Sequence, residues 1–365
     1  MQELIVPGNA YAGLDAYLER HQITRLFLVC GNSIAQLPLW DHLTALEQRR
    51  NIRIFRFSDF HPNPDLSSVQ LGAAQYISHA CSGIAAVGGG SAIDVAKCIW
   101  REIGTPDTPL LAIPTTAGSG SEATSFAVIY KNGVKQSVGN CLPNAAMLDP
   151  TLLRTLPLYQ RKATLLDALC HGIESCWSMH ATPESRAYSV RAIRQVLEHA
   201  EGYLTNRYAG NAGMLQAANL AGKAIHIAKT TAAHAMCYRL TTLFGVAHGH
   251  AAALCLSALF PELLRHSLPE QAAAALREIA AAMNCPDGTT AAQKFASFLH
   301  AMHLPRLSHE IPITPKALAA SVDQDRLANT PIPLGTTDLC RLYEQILHTL
   351  SLIHISEPTR LRCIS

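Results

Sequence analysis

The chain changes character near Asp149-Pro150, and this change constrains the fold more than any other feature of the sequence. Before it, short apolar runs at residues 25–30, 52–57, 84–87 and 110–113 alternate with helical patterns. Alternation of this kind predicts a parallel sheet with helices on its faces. Residues 67–81 have the pattern of a helix that starts at a serine, and residues 128–138 that of a hairpin with a tight turn.

After the change, from about residue 158 to residue 350, Ala, Leu, Glu and Gln dominate and strand patterns are nearly absent. We therefore expect an α/β cofactor-binding domain over residues 1–155 and an all-helical catalytic domain over residues 156–350. Residues 351–365 mix polar and apolar residues without a helical period. We interpret this tail as either a cloning scar or a loose end.

Composition excludes several functional classes. Hydrophobic residues make up 48% and charged residues 15% of the chain, which is typical of a globular protein. The net charge is only +2 and no long basic run is present, so we expect no nucleic-acid partner. The apolar runs are too short to cross a bilayer, and the N-terminus lacks the pattern of a signal peptide. We expect a cytoplasmic enzyme without a membrane partner.

A glycine run, Gly88-Gly89-Gly90, stands between a predicted strand and a predicted helix, and Ser91 and Asp94 follow it. Glycines let the backbone approach a phosphate, and a helix N-terminus supplies N–H donors and a positive dipole end. The run is not the Gly-x-Gly-x-x-Gly fingerprint of dinucleotide-binding folds, and a tight structural turn is the alternative. The strand–glycine–helix context favours binding of a pyrophosphate.

A second polar loop, residues 114–122, follows the next predicted strand and contains Thr115, Thr116 and Ser119. Its hydroxyls and flexible backbone are suited to hydrogen bonding with a cofactor. The alternative is a polar loop that caps a helix.

Asp167 and His171 are four residues apart, which places both side chains on one face of a helix. His234 and His248 follow in surroundings rich in Gly and Ala. Each histidine alone is more typical of an ordinary core residue, but a buried Asp–His pair without a partner is costly. We hypothesise that these four residues bind one divalent ion, because three imidazoles and a carboxylate suit Fe²⁺, Zn²⁺ or a similar metal.

Taken together, these motifs resemble the iron-containing (group III) alcohol dehydrogenase family. The resemblance covers about residues 1–350 and rests on Gly88-Gly89-Gly90-Ser91 with Asp94, the run 115–122, Asp167 with His171 and Glu174, His234, and His248-Gly249. It implies a Rossmann-like domain, a helical domain as in dehydroquinate synthase-like folds, an active site in the cleft between them, and a homodimer.

The resemblance also implies roles for individual residues. The metal would be held by Asp167, His171, His234 and His248. NAD(H) or NADP(H) would bind at Gly31, Gly88, Gly89, Gly90, Ser91, Asp94, Thr115, Thr116, Ser119 and Lys135, with Lys135 near the ribose. Gly31-Asn32-Ser33 lacks the acidic residue of NAD-selective members, so we expect NADP to be tolerated.

Another departure from the family lies four residues after the third ligand, where many members carry a histidine and this chain has Tyr238. A tyrosine can still donate a hydrogen bond to substrate or cofactor. We therefore take Tyr238 and His250 as the candidate catalytic residues.

Residues 229–241 and 248–251 most resemble the phosphonoacetaldehyde reductases, also called hydroxyethylphosphonate dehydrogenases. That resemblance implies a small aldehyde with a phosphonate dianion, for which cations should line the pocket. Lys229, Arg239 and His250 are the candidates. The alternative is that Lys229 and Arg239 are solvated surface charges and His250 a residue that supports the site.

Three other functions remain open at this level. A general alcohol dehydrogenase for neutral alcohols or diols would share the fold and the metal site. A lyase of the dehydroquinate synthase type would share the two-domain plan, although its metal set has a glutamate and two histidines. An inactive cofactor-binding partner would be expected to lack the complete set of four ligands.

Overall fold

The computed structural model describes residues 2–61, 64–105, 107–131, 134–305 and 313–351. Six strands form a parallel sheet in the order β1-β8-β5-β4-β2-β3. The strands of this sheet are β1 (Glu3–Ile5), β2 (Arg25–Cys30), β3 (Arg53–Phe57), β4 (Gly83–Gly88), β5 (Leu110–Pro114) and β8 (Ala145–Met147). An antiparallel hairpin is formed by β6 (Ala127–Lys131) and β7 (Val134–Val138).

The predicted parallel sheet and the antiparallel pairing of the predicted hairpin are confirmed, while residues 132 and 133 of its expected tight turn lie outside the described residues. The four strands expected from apolar runs are β2, β3, β4 and β5. The side chains of β2, β4 and β5 are largely buried because helices cover both faces of the sheet, whereas β3 is an edge strand and only its Phe57 is buried. No sequence pattern indicated β1 or β8. Each has only three residues, which is too short for a period to appear.

Helices of the first 150 residues pack on the sheet: α1 (Ala12–Arg20), α2 (Pro38–Thr44), α3 (Leu46–Arg50), α4 (Leu66–Ser78) and α5 (Gly90–Ile103). The start of α4 differs from the expectation, since Asp65 caps the helix by accepting a hydrogen bond from the Ser68 N–H at 2.8 Å. Carboxylates are strong caps because they satisfy the unpaired N–H groups of the first turn.

The remainder of the described chain is helical, as predicted, and contains no strand among the described residues after β8. Its helices are α6 (Leu158–Trp177), α7 (Pro183–Leu204), α8 (Tyr208–Ala228), α9 (Ala232–Phe244), α10 (His248–Leu263), α11 (Glu270–Ala282), α12 (Gly288–Ala301), α13 (Pro315–Ala319), α14 (Gln324–Ala328) and α15 (Thr336–Ser351). Within the described residues, no helix is both long and apolar enough to span a membrane. Of the predicted tail, residues 352–365 lie outside the description.

Helix α6 is the central element of the helical part. It packs against α7, α8, α10 and α11, and nearly all of its side chains from Ala163 to Trp177 are buried. The start of α10 approaches it closely at Gly249, where an added Cβ would lie 2.1 Å from the Ala163 carbonyl oxygen and 2.6 Å from Asp167 Cβ. Only glycine permits this approach, which brings the first turn of α10 against the face of α6 that carries Asp167.

Candidate metal centre and cofactor cleft

The centre of the site is one face of α6. Asp167 and His171 lie one turn apart on this face, with side chains 8% and 6% exposed, and His171 Nε2 is 3.9 Å from Asp167 Oδ1. The buried apolar residues around them hold the helix rigidly in the core. The predicted pair is therefore adjacent in the folded protein.

Two further imidazoles reach the same carboxylate oxygen. His234, in the first turn of α9, places Nε2 at 3.5 Å from Asp167 Oδ1, and His248, the first residue of α10, places Nε2 at 3.9 Å. One ligand atom from each of Asp167, His234 and His248 falls within 4.8 Å of the others. His171 stands beside this trio, with its ring stacked on that of His234 at 4.5 Å.

The buried atoms of this cluster test whether a metal fits. Asp167 Oδ1 and His234 Nε2 are buried and make no hydrogen bond within the described part of the chain. Unpaired buried polar atoms are costly, so their convergence requires a partner. A divalent cation satisfies the carboxylate oxygen and the imidazole nitrogen together, and an Asp with three His suits Fe²⁺ or Zn²⁺.

The protonation states also suit metal binding. Burial alone would raise the pKa of the Asp167 carboxyl, but the neighbouring histidines hold that pKa well below its usual range. Burial lowers the pKa of His171 to about 4, although the nearby Asp167 opposes this shift. At neutral pH the site therefore presents an anionic oxygen and a neutral imidazole, which are the forms that bind metals.

Glu174 orients the third histidine. Its carboxylate is fully buried, accepts a hydrogen bond from His234 Nδ1, and accepts two more from the Thr231 N–H at 3.0 Å and the Thr231 hydroxyl at 2.7 Å. Burial would lower the pKa of His234, but Glu174 raises it to about 9. At neutral pH the metal-free His234 ring is therefore protonated on both nitrogens. A metal ion would displace the proton of Nε2, which faces Asp167, while Glu174 keeps the proton of Nδ1.

Glu174 belongs to the motif that carries the family resemblance, but no role was predicted for it from the sequence. Its spacing of seven residues from Asp167 and three from His171 places all three on one helix face, and this was the available signal.

The predicted cofactor loops lie side by side at the carboxyl ends of β4 and β5. An added Cβ at Gly89 would be 3.3 Å from Thr116 Oγ1, and one at Gly90 would be 3.1 Å from Ser119 Oγ. Gly89 is also the N-cap of α5, so the first N–H groups of that helix open toward the space between the loops. Backbone donors and hydroxyls thus line one concave surface, as a pyrophosphate site requires.

Two residues of α5 hold these loops together. Asp94 accepts hydrogen bonds from the Ser121 hydroxyl and the Val128 N–H. Lys97 is fully buried and its Nζ donates to Ser121 Oγ at 3.2 Å, Thr124 Oγ1 at 2.9 Å and the Phe126 carbonyl at 2.9 Å. Lys97 was not predicted as a site residue, because nothing in the local sequence pattern distinguishes a buried lysine from a surface one.

A single cleft of about 950 Å³ contains both groups of residues. Of the predicted site residues, those that line it are Gly89, Gly90, Ser91, Asp94, Thr116, Ser119, Asp167, His171, Lys229, His234, Tyr238 and His248. Those that do not are Gly31, Gly88, Thr115, Arg239 and His250. The side chain of Lys135, in β7, lies outside the described residues.

The two candidate catalytic residues have different positions. The Tyr238 ring stacks on His248 at 5.5 Å and 18°, and burial raises the pKa of its hydroxyl strongly, so that it stays protonated. His250 is buried away from the cleft, where burial lowers its pKa to about 4 and its Nδ1 is 3.3 Å from the Tyr159 hydroxyl. That hydroxyl also accepts the Ala247 N–H at 2.9 Å, one residue before His248. The geometry therefore gives His250 a supporting position and no contact with the cleft.

The predicted substrate residues also differ in whether they line the cleft. Lys229, between α8 and α9, lines the cleft, whereas the Arg239 side chain is exposed on α9. The structure brings another cation to the cleft, Arg326 of α14. Because α14 begins about a hundred residues after Lys229, sequence spacing gave no signal for this contact.

Gly31 lies at the end of β2, beyond the cleft lining. Its carbonyl accepts a hydrogen bond from Arg56 Nη2 at 3.2 Å, and the same nitrogen donates to Asn32 Oδ1 at 2.7 Å. An exposed guanidinium therefore stands at the strand end where Rossmann-like folds bind the adenosine ribose.

Two family models match this chain. The family model described as iron-containing alcohol dehydrogenase matches residues 2–150, and the model of the C-terminal part of the Fe-containing alcohol dehydrogenase family matches residues 162–347. A 1-propanol dehydrogenase of Citrobacter freundii is 33% identical over 270 residues, which cover 70% of this chain and 72% of that protein.

Other relatives share shorter segments. A phosphonoacetaldehyde reductase of Streptomyces viridochromogenes is 34% identical over 212 residues, which cover 50% of this chain and 53% of that protein. The match to an aldehyde-alcohol dehydrogenase of Streptococcus pneumoniae, 28% identical, covers 73% of this chain but only 34% of that protein, so the chain spans about a third of its length.

Solved structures share the fold. A sulfoacetaldehyde reductase from Bifidobacterium kashiwanohense, in complex with NAD⁺, superposes with a TM-score of 0.84 at 23% identity, covering 95% of this chain and 97% of that one. The expected Rossmann-like and helical architecture is therefore confirmed.

Proposed function

The chain belongs to the iron-containing alcohol dehydrogenase family, and on that premise we propose that it is a metal-dependent, NAD(P)H-linked oxidoreductase that interconverts a small aldehyde and its primary alcohol. The observation that carries this proposal is the meeting of two groups in one cleft. Asp167, His234 and His248 converge on one face, and the glycine and threonine loops that suit a pyrophosphate line the other.

The metal ligands would be Asp167, His171, His234 and His248, and Fe²⁺ is the ion we propose, with Zn²⁺ as the alternative. When bound, such an ion supplies Lewis-acid polarisation of the carbonyl oxygen. The protein's part is to keep Asp167 ionised and to direct His234 Nε2 through Glu174. Burial of Asp167, His171 and His234 also excludes water from most of the site.

The cofactor would lie across the other wall. Gly88, Gly89, Gly90 and Ser91 would receive the pyrophosphate at the start of α5, and Thr115, Thr116 and Ser119 would bind the adjacent part of the cofactor. The nicotinamide supplies the hydride chemistry, and the protein supplies orientation. We propose that NADP(H) is accepted as well as NAD(H), because Arg56 and Asn32 stand where an acidic residue would repel a 2′-phosphate.

Tyr238 would act on the substrate oxygen as a hydrogen-bond donor. Its raised pKa keeps the proton on the phenol oxygen, which makes it a poor source of protons but a persistent donor. We propose that it orients the aldehyde beside His248, on whose ring it stacks. His250 would serve this site through Tyr159, as a positioning residue.

For the substrate we propose phosphonoacetaldehyde, which would be reduced to 2-hydroxyethylphosphonate. The proposal is supported by Lys229 in the cleft and by the similarity to a phosphonoacetaldehyde reductase over half of the chain. A neutral alcohol is the second candidate, because the similarity to a 1-propanol dehydrogenase extends over 70% of the chain.

A substrate panel tests both. The protein is stripped with a chelator, reloaded with Fe²⁺ or Zn²⁺ under nitrogen, and assayed with phosphonoacetaldehyde and propanal using NADH and NADPH. We expect turnover only after metal loading, with a higher kcat/KM for phosphonoacetaldehyde. Equal turnover of chelator-stripped protein refutes the metal role, and a preference for propanal supports the second candidate. Light scattering on the same samples tests the homodimer that the family resemblance implies.

A further inference from the structure

Lys229 has a backbone conformation that side chains rarely adopt. It follows α8 with φ 63° and ψ 178°, in a region that is occupied essentially by glycine. A non-glycine residue is strained there, and such strain persists only where the surrounding structure enforces it. Strained residues of this kind cluster at functional sites, and Lys229 lines the cleft five residues before His234.

The Lys229 ammonium lacks an acidic partner. Its Nζ donates to the His226 carbonyl at 3.1 Å and lies 4.7 Å from the centroid of the Phe126 ring. No carboxylate of the described chain lies within ion-pair distance of it. Burial lowers the pKa of Lys229, and the nearby Arg326 lowers it further, so two cations stand close together with their charges only partly neutralised.

Arg326 is held beside both Lys229 and the metal ligands. Its Nη1 donates to Thr230 Oγ1 at 2.9 Å, on the residue after Lys229. Its guanidinium lies 5.2 Å from the centroid of the Tyr238 ring, which stacks in turn on His248. One aromatic ring therefore separates the guanidinium from a predicted metal ligand.

Acidic residues only partly offset these cations. Arg326 Nε is 3.8 Å from Asp323 Oδ2, a loose contact, and Asp325 also lines the cleft. Arg326 Nη2 makes no hydrogen bond within the described residues. The guanidinium thus donates to the protein through Nη1 and can bind an oxyanion through Nη2.

From this geometry we propose that Lys229 and Arg326 form a two-cation clamp that binds the anionic head of the substrate while its aldehyde group lies toward His248. The inference rests on the proposed function and assigns its selectivity to Arg326, a residue to which no sequence motif pointed. A tetrahedral oxyanion offers three oxygens, so it can bridge an ammonium and a guanidinium and relieve their mutual repulsion. The clamp selects dianionic over neutral aldehydes.

Substitutions test the clamp through the ratio of two kcat/KM values. We compare kcat/KM for phosphonoacetaldehyde with kcat/KM for propanal in wild type, Arg326→Gln, Arg326→Lys and Lys229→Gly of the metal-loaded protein. We expect the ratio to fall at least about tenfold in Arg326→Gln and Lys229→Gly, because a charge-assisted hydrogen bond is lost in each. Arg326→Lys should keep part of the ratio. Arg194→Gln removes an exposed arginine of α7 and should leave it unchanged.

Thermal unfolding separates recognition from a structural role. Glycine adopts the Lys229 conformation without strain, so Lys229→Gly should unfold at the same or a higher temperature than wild type while losing selectivity. Loss of both stability and selectivity in Lys229→Gly would show that the lysine is structural, and an unchanged ratio in both variants overturns the clamp.

Binding of methylphosphonate to the metal-loaded protein, followed by calorimetry, tests the clamp independently of turnover. We expect binding to wild type that weakens at least about tenfold in Arg326→Gln. If wild type reduces neither aldehyde but binds methylphosphonate in this manner, the proposed function fails and the clamp stands. Equal binding to wild type and Arg326→Gln, or binding to neither, overturns the clamp even where the oxidoreductase activity is present.

Discussion

The two walls of the cleft would bind their ligands with different parts of the chain. On the α/β side, Gly89 and Gly90 offer backbone N–H groups, and the important property of each residue is the absence of a Cβ. On the helical side, Asp167 and His234 offer side-chain atoms carried on buried helices. At Gly89 and Gly90, any side chain that fills the space should weaken ligand binding. At Asp167 and His234, a change of either the chemistry or the volume of the side chain should do so.

The strongest test of this contrast is His234→Ala. It removes a ligand nitrogen and should abolish metal binding and reduce kcat by at least about a thousandfold, since Lewis-acid stabilisation is worth several kcal/mol. Metal content by mass spectrometry and rates with saturating cofactor are the measurements. Circular dichroism should show a folded chain, and Asp167→Asn, which keeps the volume of the side chain, should give the same result. Full metal occupancy in both variants would contradict the assigned site.

A smaller effect on the same wall is expected from Glu174→Gln. The amide keeps the shape but not the charge that orients His234, and loss of such a support typically weakens metal affinity about 10- to 100-fold. Competition with a metal-binding dye measures the affinity. The cofactor affinity should remain that of wild type, and a change confined to the cofactor would contradict the division between the two walls.

On the opposite wall, Gly89→Val should weaken the binding of the cofactor and not that of the metal. A Cβ added at this position would lie 3.3 Å from the Thr116 side chain, and the two methyl groups of valine would occupy the space proposed for the pyrophosphate. We expect the Kd for NADH to rise by about tenfold or more, which corresponds to roughly 1.4 kcal/mol, with metal affinity unchanged. Gly335→Val, outside the cleft, is the matched control. Tight NADH binding by Gly89→Val would contradict the proposal that this loop binds the pyrophosphate.

The smallest effect is expected from Tyr159→Phe. The change removes the acceptor of the Ala247 N–H and the hydroxyl that lies 3.3 Å from His250 Nδ1, but it leaves every proposed ligand intact. One neutral hydrogen bond is worth about 1 kcal/mol, so metal affinity should fall only a few-fold. Tyr208→Phe, on an exposed tyrosine, should have no effect. An unchanged affinity in Tyr159→Phe would show that His248 does not depend on this support.

The contrast between the walls also explains what the sequence could predict. The spacing of Asp167 and His171 indicated a pair because helical geometry is local, and the glycine run indicated a strand-to-helix turn for the same reason. The short strands β1 and β8 could not be predicted, because three residues carry no period. Their pairing depends on a sheet that is assembled from distant segments.

Long-range contacts set the remaining limit. Lys229 was found because it is close in sequence to His234, whereas Arg326 reaches the cleft only through the packing of α14 against α9. His250 and Arg239 are also near metal ligands in sequence, yet helix direction turns the first into the core and the second to solvent. Proximity along the chain therefore suggested three cations near the substrate, but of these three only Lys229 lines the cleft.

The most direct measurement is an anomalous-scattering map of crystals loaded with Fe²⁺ under nitrogen, recorded on both sides of the iron absorption edge. A single strong peak should lie within coordination distance of Asp167 Oδ1 and the Nε2 atoms of His171, His234 and His248, on the wall of the cleft opposite Gly89 and Gly90. An empty centre in fully loaded, active crystals, or a peak bound by other residues, would contradict the central claim.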